Sequence, residues 1–180
     1  MNKTVEKIIN DFTVKNNFNS IKIIDTSILC FDPIFRTFCE ENICGQYNNN
    51  YSCPPICGTY EEMKNKVLSY KNAIVFQSKF IASDLNNNKM IKSFQKAHNI
   101  AMFKAISNID NIDGLLIGSS HCMLCDECLK KENKNCLNNK HKYSCLSAYC
   151  INVRKLAYDC NMNYEYKNDE LYLFGLYLFN

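Results

Sequence analysis

The sequence predicts a small α/β or α+β domain, in which a mixed sheet of about four strands is covered by helices. Three observations support this class. The 180 residues suffice for one ordinary domain. Forty-seven percent of them are apolar, so the chain can bury a core. Short β-branched segments also alternate with longer segments of three- and four-residue apolar spacing. We therefore expect residues 1–180 to fold as a single domain.

The predicted strands are short apolar segments bounded by polar residues or glycine. They span residues 21–24, 73–77, 114–118 and 171–179. A long helix is predicted between the second strand and the third, which makes a βαβ unit. Such a unit predicts two parallel strands with a right-handed crossover.

The predicted helices are amphipathic segments, two of which have capping residues at their start. Thr59 and Glu62 have the spacing of a capping box. Asp84 is the predicted N-cap of the long helix. The four helices are expected at residues 5–12 (within an N-terminal helical region, 1–20), from Thr59 to about residue 70, at 85–107 and at 148–158.

Composition excludes several classes of function. The net charge of +3 argues against nucleic acid or an anionic membrane as the partner. The sequence has no run of eighteen apolar residues, so no segment is predicted to span a bilayer. Its first residues lack the apolar region of a secretory signal. The chain nevertheless has twelve cysteines. We expect a cytoplasmic protein whose clustered thiols bind metal, because the reducing cytoplasm disfavours disulfides.

A first cysteine motif, the back motif, lies at residues 122–136. Its ligand candidates are Cys122, Cys125, Cys128 and Cys136. The C-x2-C-x2-C run lets three thiolates surround one centre, as in ferredoxins, and a fourth follows in a nearby loop. Zinc is the alternative, although its structural sites usually take one C-x2-C pair from each of two loops. The spacing favours a [4Fe-4S] cluster over zinc.

A second motif, the front motif, lies at residues 39–58. Its candidates are Cys39, Cys44, Cys53 and Cys57. Pro54 and Pro55 restrict the backbone beside Cys53, while Gly45 and Gly58 permit tight turns. Buried free thiols are the alternative interpretation. Four cysteines so close together make metal binding the better prediction.

These motifs resemble domain of unknown function family 2284, whose members are described as predicted metal-binding proteins. The front match comprises Cys39, Cys44-Gly45, Tyr47, Tyr51-Ser-Cys53-Pro-Pro55, Gly58-Thr59 and Glu61-Glu62. The back match comprises Cys122, Cys125, Cys128, Cys136, Ser147-Ala-Tyr149, Ile151-Asn-Val153 and Tyr172-Leu-Phe-Gly-Leu-Tyr177. The resemblance runs from about Cys39 to the end of the chain. It implies an intracellular protein with cysteine-bound metal and no established reaction.

Three positions depart from the family pattern. Relatives often lack cysteine at the position of Cys57, often have glycine at the position of Cys150, and tend to have proline shortly after the fourth back cysteine, where this chain has Leu137. If only Cys39, Cys44 and Cys53 hold a front cluster, one iron is open to substrate as a Lewis acid. If Cys57 completes the site, the cluster is saturated and suits electron transfer.

The predicted function is therefore iron–sulfur cluster binding, for electron transfer or cluster-dependent redox chemistry. Two alternatives are an enzyme with an open iron at the front site and a zinc-stabilised interaction module. His121, next to Cys122, is a candidate ligand or proton donor, or simply an exposed loop residue. The other cysteines are interpreted as structural or spare: Cys30, Cys145, Cys150 and Cys160.

Lysines surround the last cysteine of the back motif. They are Lys130, Lys131, Lys134, Lys140 and Lys142. Positive charge there could stabilise a reduced cluster and dock an acidic redox partner such as a ferredoxin. A solvated loop is the simpler alternative.

Overall fold

The computed structural model describes residues 18–107 and 113–180, which form a mixed α/β fold with one five-stranded sheet. The strands are β1 (Ser20–Asp25), β2 (Asn72–Ile81), β3 (Leu115–Gly118), β4 (Ser144–Cys145) and β5 (Glu170–Phe179). The α-helices in these ranges are α1 (Thr37–Glu40), α2 (Tyr60–Leu68), α3 (Asn88–Ser107) and α4 (Val153–Asp159). The predicted fold class is confirmed, with β4 as a strand that the sequence analysis did not include.

The strand order is β1-β2-β5-β3-β4, so the last strand of the chain lies in the middle of the sheet. It pairs antiparallel with both β2 and β3, which therefore run parallel to each other. The parallel direction expected for the βαβ unit is confirmed, but β5 is inserted between its two strands. Gly175 of β5 permits close packing here, because a Cβ there would lie 2.9 Å from the Ile117 carbonyl oxygen of β3 and closer still to the Met102 side chain on α3.

Both faces of the sheet are buried, and residues of β2 alternate between them as strand geometry requires. Ala73 and Val75 belong to a core cluster shared with α2 and α4, whereas Ile74 and Phe76 pack on the side of α3. Helices covering both faces explain why residues 73–78 are buried without interruption.

The helix starting at Tyr60 confirms the predicted capping box. Thr59 Oγ1 accepts a hydrogen bond from the Glu62 N–H at 3.3 Å, and Glu62 Oε2 accepts one from the Thr59 N–H at 2.7 Å. The N-terminal helix predicted at residues 5–12 lies outside the described residues.

Two other helix starts were predicted wrongly. Asp84 accepts a hydrogen bond from Asn86 in a local turn, and Asn87 is the side chain that caps α3, by accepting from the Met90 N–H at 3.0 Å. Likewise α4 begins only at Val153. The segment before it is held as a turn in which Cys150 adopts the left-handed conformation, with φ of 57°.

Among the described residues, no helix is both long enough and apolar enough to cross a membrane.

Candidate metal centres

The four thiols of the back motif line a single small cavity. All four lie on the loop that follows β3. Three of them precede the short 3-10 helix Leu129–Glu132 in the chain, and the fourth follows it. Burial raises the pKa of Cys122, and the neighbouring Cys125 and Cys136 thiols raise it further. The structure thus places Cys122, Cys125, Cys128 and Cys136 around one cavity.

Two hydrogen bonds organise the back cavity, one to a cysteine sulfur and one that holds its loop. The Asn138 side-chain N–H donates to Cys125 Sγ at 3.3 Å. The Met123 N–H donates to the hydroxyl of Tyr143 at 3.1 Å, which holds the loop against the core on the side of α3. An N–H directed at a ligand sulfur is typical of the surroundings of metal-bound thiolates.

Three thiols of the front motif line a second cavity, of about 200 Å³. They belong to Cys39 on α1, Cys44 in the turn after it, and Cys53 in the turn beside the cis Pro54–Pro55 bond. The fourth thiol in this cavity is that of Cys145, the last residue of β4. From the sequence alone Cys145 is interpreted as structural or spare, and the spacing of the front motif does not predict its place in this cavity.

The thiols of Cys39 and Cys145 are close enough to interact with each other. Their interaction lowers the pKa of Cys145 and raises that of Cys39. Backbone N–H groups at Ala148 and Ser147 also lower the pKa of Cys145. The turn after β4 therefore favours the thiolate form of Cys145.

Cys57 lies elsewhere. Its Sγ is 3.3 Å from Met63 Sδ, and its side chain packs against the core cluster that includes α2. Burial raises the pKa of Cys57 to about 11, although the nearby guanidinium of Arg36 opposes the shift. Cys57 is close enough to Cys145 for the two to interact electrostatically, but it does not line the front cavity.

The remaining cysteines have ordinary positions in the fold. Cys30 is exposed, whereas Cys150 and Cys160 are buried in the protein interior. The Cys150 sulfur contacts the guanidinium of Arg36, which also donates to the carbonyls of Gly58 and Ala148. Arg36 thereby joins the front loop to the turn that carries Cys145.

Direct hydrogen bonds connect the front and back loops. The Cys122 N–H donates to Ser52 Oγ at 2.9 Å, and Asn50 Nδ2 donates to the Cys122 carbonyl at 3.3 Å. Ser52 is 1% exposed, and its Oγ lies 3.9 Å from the sulfur of Cys53. One buried serine therefore contacts a candidate ligand of each centre.

A polar wall faces the front cysteines. It contains Lys92 and Gln95 of α3, and His121 of the turn after β3. Lys92 and His121 also line a neighbouring cavity of about 330 Å³ that reaches Cys122, Cys125 and Cys128. Burial, and to a smaller extent the positive charge of Lys92, lowers the pKa of His121 to about 4.

Cysteine thiols are the candidate metal donors of both cavities. Four of them line each cavity, while within residues 18–107 and 113–180 no three His, Cys, Asp or Glu side chains are close enough together to hold one metal ion.

Comparison with known protein families identifies one that is described by metal binding. The family described as predicted metal-binding protein (DUF2284) matches residues 22–179. The chain belongs to this family. The DUF2284 match includes both cysteine motifs and Cys145. A search of curated proteins and a search of solved structures each gave no match.

Proposed function

We propose that this DUF2284 protein binds two [4Fe-4S] clusters and functions in electron transfer or cluster-dependent redox chemistry. The observation that supports this proposal is that four cysteine thiols line each of two cavities, whose loops are joined by Ser52. A bound cluster supplies one-electron chemistry, and its cysteine ligands and their hydrogen bonds set its reduction potential.

The proposed back ligands are those of the back motif, Cys122, Cys125, Cys128 and Cys136. At the front we propose Cys39, Cys44 and Cys53, with Cys145 as the fourth ligand. The position of Cys145 in the cavity supports this choice over Cys57, whose sulfur contacts Met63 instead. Four cysteines at each centre would leave no iron position open, which favours electron transfer.

The contacts between the two loops support transfer between the centres. Ser52 touches Cys122 through a hydrogen bond and lies beside Cys53, so the ligand loops are in direct van der Waals and hydrogen-bonded contact. Ser52 and Asn50 keep the two loops in a fixed relative position and exclude water from between them, since both side chains are buried. A fixed contact that excludes water favours rapid electron transfer between the two proposed clusters.

We further propose that the partner is an acidic electron carrier in the cytoplasm. All twelve cysteines are free thiols, as expected in a reducing compartment. Acidic neighbours already pair with two of the lysines near Cys136: Lys131 lies 3.9 Å from Glu127, and Lys134 lies 2.6 Å from Glu132. Three of the five lysines remain as candidates for docking: Lys130, which precedes Cys136, and Lys140 and Lys142, which follow it.

The decisive experiment is anaerobic purification followed by iron, sulfide, zinc and protein analysis. Two clusters predict about eight iron and eight sulfide per chain, because each cubane contributes four of each. Electron paramagnetic resonance of the reduced protein should show two interacting paramagnetic centres. Colourless protein with stoichiometric zinc would instead support the structural zinc module and refute the proposal.

A further inference from the structure

Resting on the proposed electron transfer, we propose that the surface beside the front cavity docks a second electron-transfer protein, one whose own contact surface is apolar and ringed by basic residues. This surface, the front patch, lies on the 3-10 helix Pro33–Arg36, on α1 and on the turn that follows α1. The front patch comprises Ile34, Phe38, Glu40, Glu41 and Ile43. It is separate in the chain from the lysines proposed above for an acidic carrier.

Three large apolar side chains of the front patch are exposed to solvent. Ile34 is 54% exposed, Phe38 is 55% exposed and Ile43 is 85% exposed, the highest value for a large apolar side chain in the described ranges. Ile34 and Phe38 are four positions apart on consecutive helical turns, so they lie on the same side of the segment. Exposed apolar side chains that are grouped, rather than scattered singly, indicate a surface for protein binding.

The front patch adjoins the front cavity. Phe38 lines this cavity together with Cys39 and Cys44, and Cys44 is itself exposed. A partner seated on the front patch would therefore lie directly beside two proposed ligands of the front cluster. Because electron transfer slows steeply with distance, such a contact favours exchange between this cluster and the redox centre of the partner.

The charge of this region favours a basic partner. Glu40 and Glu41 are exposed, and their side chains make no hydrogen bond or ion pair with another residue of the described ranges. Lys92 is the one basic residue among the described residues that line the front cavity. The four thiolates of the proposed cluster outweigh the charge of Lys92, because an all-cysteine cluster keeps a net negative charge. Negative charge around an apolar contact attracts and orients a positively charged protein.

Internal contacts hold the front patch in a fixed shape before any partner binds. Arg36 points to the interior, where its guanidinium donates to the carbonyls of Gly58 at 2.9 Å and Ala148 at 3.0 Å. The hydroxyl of Thr37 donates to the Ile34 carbonyl at 2.7 Å. A surface that is already ordered loses less conformational entropy on binding.

The test uses cytochrome c as the probe, because it is a basic protein whose haem accepts single electrons. The cluster-loaded protein is reduced with dithionite, freed of the excess and mixed with ferric cytochrome c in an anaerobic stopped-flow instrument. One electron passes from the reduced cluster to the ferric haem, and no bond or proton is transferred. We expect a rate that saturates with cytochrome c concentration and falls as the salt concentration increases.

Two variants test the charge of the front patch. Glu40→Gln/Glu41→Gln should lower the second-order rate constant at least about threefold at low salt and have little effect at high salt. Glu165→Gln/Asp169→Asn is the matched control, because it removes two negative charges from exposed residues that line neither cysteine cavity. The control should react like the unmodified protein.

A second pair of variants tests the apolar contact. Ile43→Asn should raise the half-saturating concentration of cytochrome c at least about fivefold, since an exposed apolar contact is lost without disturbing the core. Ile81→Asn is the matched control, because Ile81 is a 62% exposed isoleucine that lines neither cysteine cavity. It should leave the half-saturating concentration unchanged.

Three outcomes would overturn the proposal. Unchanged kinetics in both front-patch variants, or no electron transfer to cytochrome c by protein with complete iron and sulfide, would refute the docking site and leave the cluster proposal intact. Protein without iron and sulfide would refute both. A stable dimer in sedimentation velocity that Ile43→Asn dissociates would show that the front patch binds a second copy of this chain instead.

Discussion

The N–H of Cys122 donates a hydrogen bond to the buried Oγ of Ser52 at 2.9 Å, across 70 positions of the chain. Ser52→Ala removes the acceptor and leaves this N–H without its partner. We expect the free energy of unfolding to fall by about 1–3 kcal/mol, the usual cost of an unsatisfied buried donor. Urea unfolding of the anaerobically purified proteins measures the change.

Ser69→Ala is the control for Ser52→Ala. The Ser69 hydroxyl bonds to the Lys66 carbonyl at an exposed helix end, so its loss should cost less than about 0.5 kcal/mol. Equal stability of the two variants would show that the link between the loops contributes nothing to the fold.

Two cysteine variants separate the ligand sets for the front centre. If Cys145 is the fourth ligand, Cys145→Ser should lose or alter the front cluster signal, whereas Cys57→Ser should leave iron and sulfide content unchanged. Iron analysis and electron paramagnetic resonance of the reduced proteins measure the difference. The opposite pattern would restore the ligand set predicted from the spacing of the front motif.

Local sequence signals identified most of the fold and the groups of the back cavity. The C-x2-C-x2-C spacing keeps its three cysteines on one short loop, so it could be predicted that Cys122, Cys125 and Cys128 line the same cavity. The place of Cys145 could not be predicted, because its position depends on the pairing of β3 with the two-residue strand β4. The only local signal nearby is the Ser147–Tyr149 segment that follows it.

The start of α3 also could not be predicted from local sequence alone. Asp84 and Asn87 are both good N-cap residues, and the sequence pattern does not distinguish them. Asp84 is used in a turn with Asn86, so the cap of α3 falls to Asn87. The sequence pattern showed the two parallel strands of the βαβ unit, but the insertion of β5 between them depends on pairing over long separations.

Cys150→Gly should leave metal content unchanged. The residue has φ of 57°, a conformation that costs a non-glycine residue on the order of 1 kcal/mol and glycine almost nothing. Loss of the buried side chain opposes this gain, so we expect a change in unfolding free energy of less than about 1.5 kcal/mol. Iron analysis and urea unfolding measure both quantities, and loss of iron would identify Cys150 as part of a centre.

Asn138→Leu should lower the reduction potential of the back cluster. The Asn138 N–H donates to Cys125 Sγ at 3.3 Å, and such a bond stabilises the more negative, reduced form. Asn139→Leu is the matched control, because Asn139 is exposed and makes no hydrogen bond to a cysteine in the described structure. Redox titration followed by electron paramagnetic resonance measures both, and equal potentials would contradict the role of Asn138.

Cys125→Ser should lose the back cluster and destabilise the fold. Metal binding contributes folding free energy, so removing a ligand of the back cavity removes part of that contribution. We expect lower iron content together with a lower melting temperature. An unchanged metal content and melting curve would contradict the assignment of this ligand.

His98 makes the fold sensitive to acid independently of the metal centres. It is 1% exposed, its Nδ1 lies 2.7 Å from Ser78 Oγ, and burial lowers its pKa to about 3. The unfolded chain takes up a proton on His98 below about pH 6.5, whereas the folded protein does so only near pH 3. The contribution of His98 to the free energy of unfolding is therefore fully present above about pH 6.5 and is lost as the pH decreases toward 3.

Between pH 7 and pH 5 this linkage amounts to about 2 kcal/mol. His98→Gln cannot take up the proton, so its unfolding free energy should depend less on pH over this interval by about that amount. His141→Gln, a substitution of an exposed histidine, should keep the original pH dependence. Urea unfolding at pH 7, 6 and 5 measures all three proteins, and parallel pH profiles would show that His98 is not held neutral by the fold.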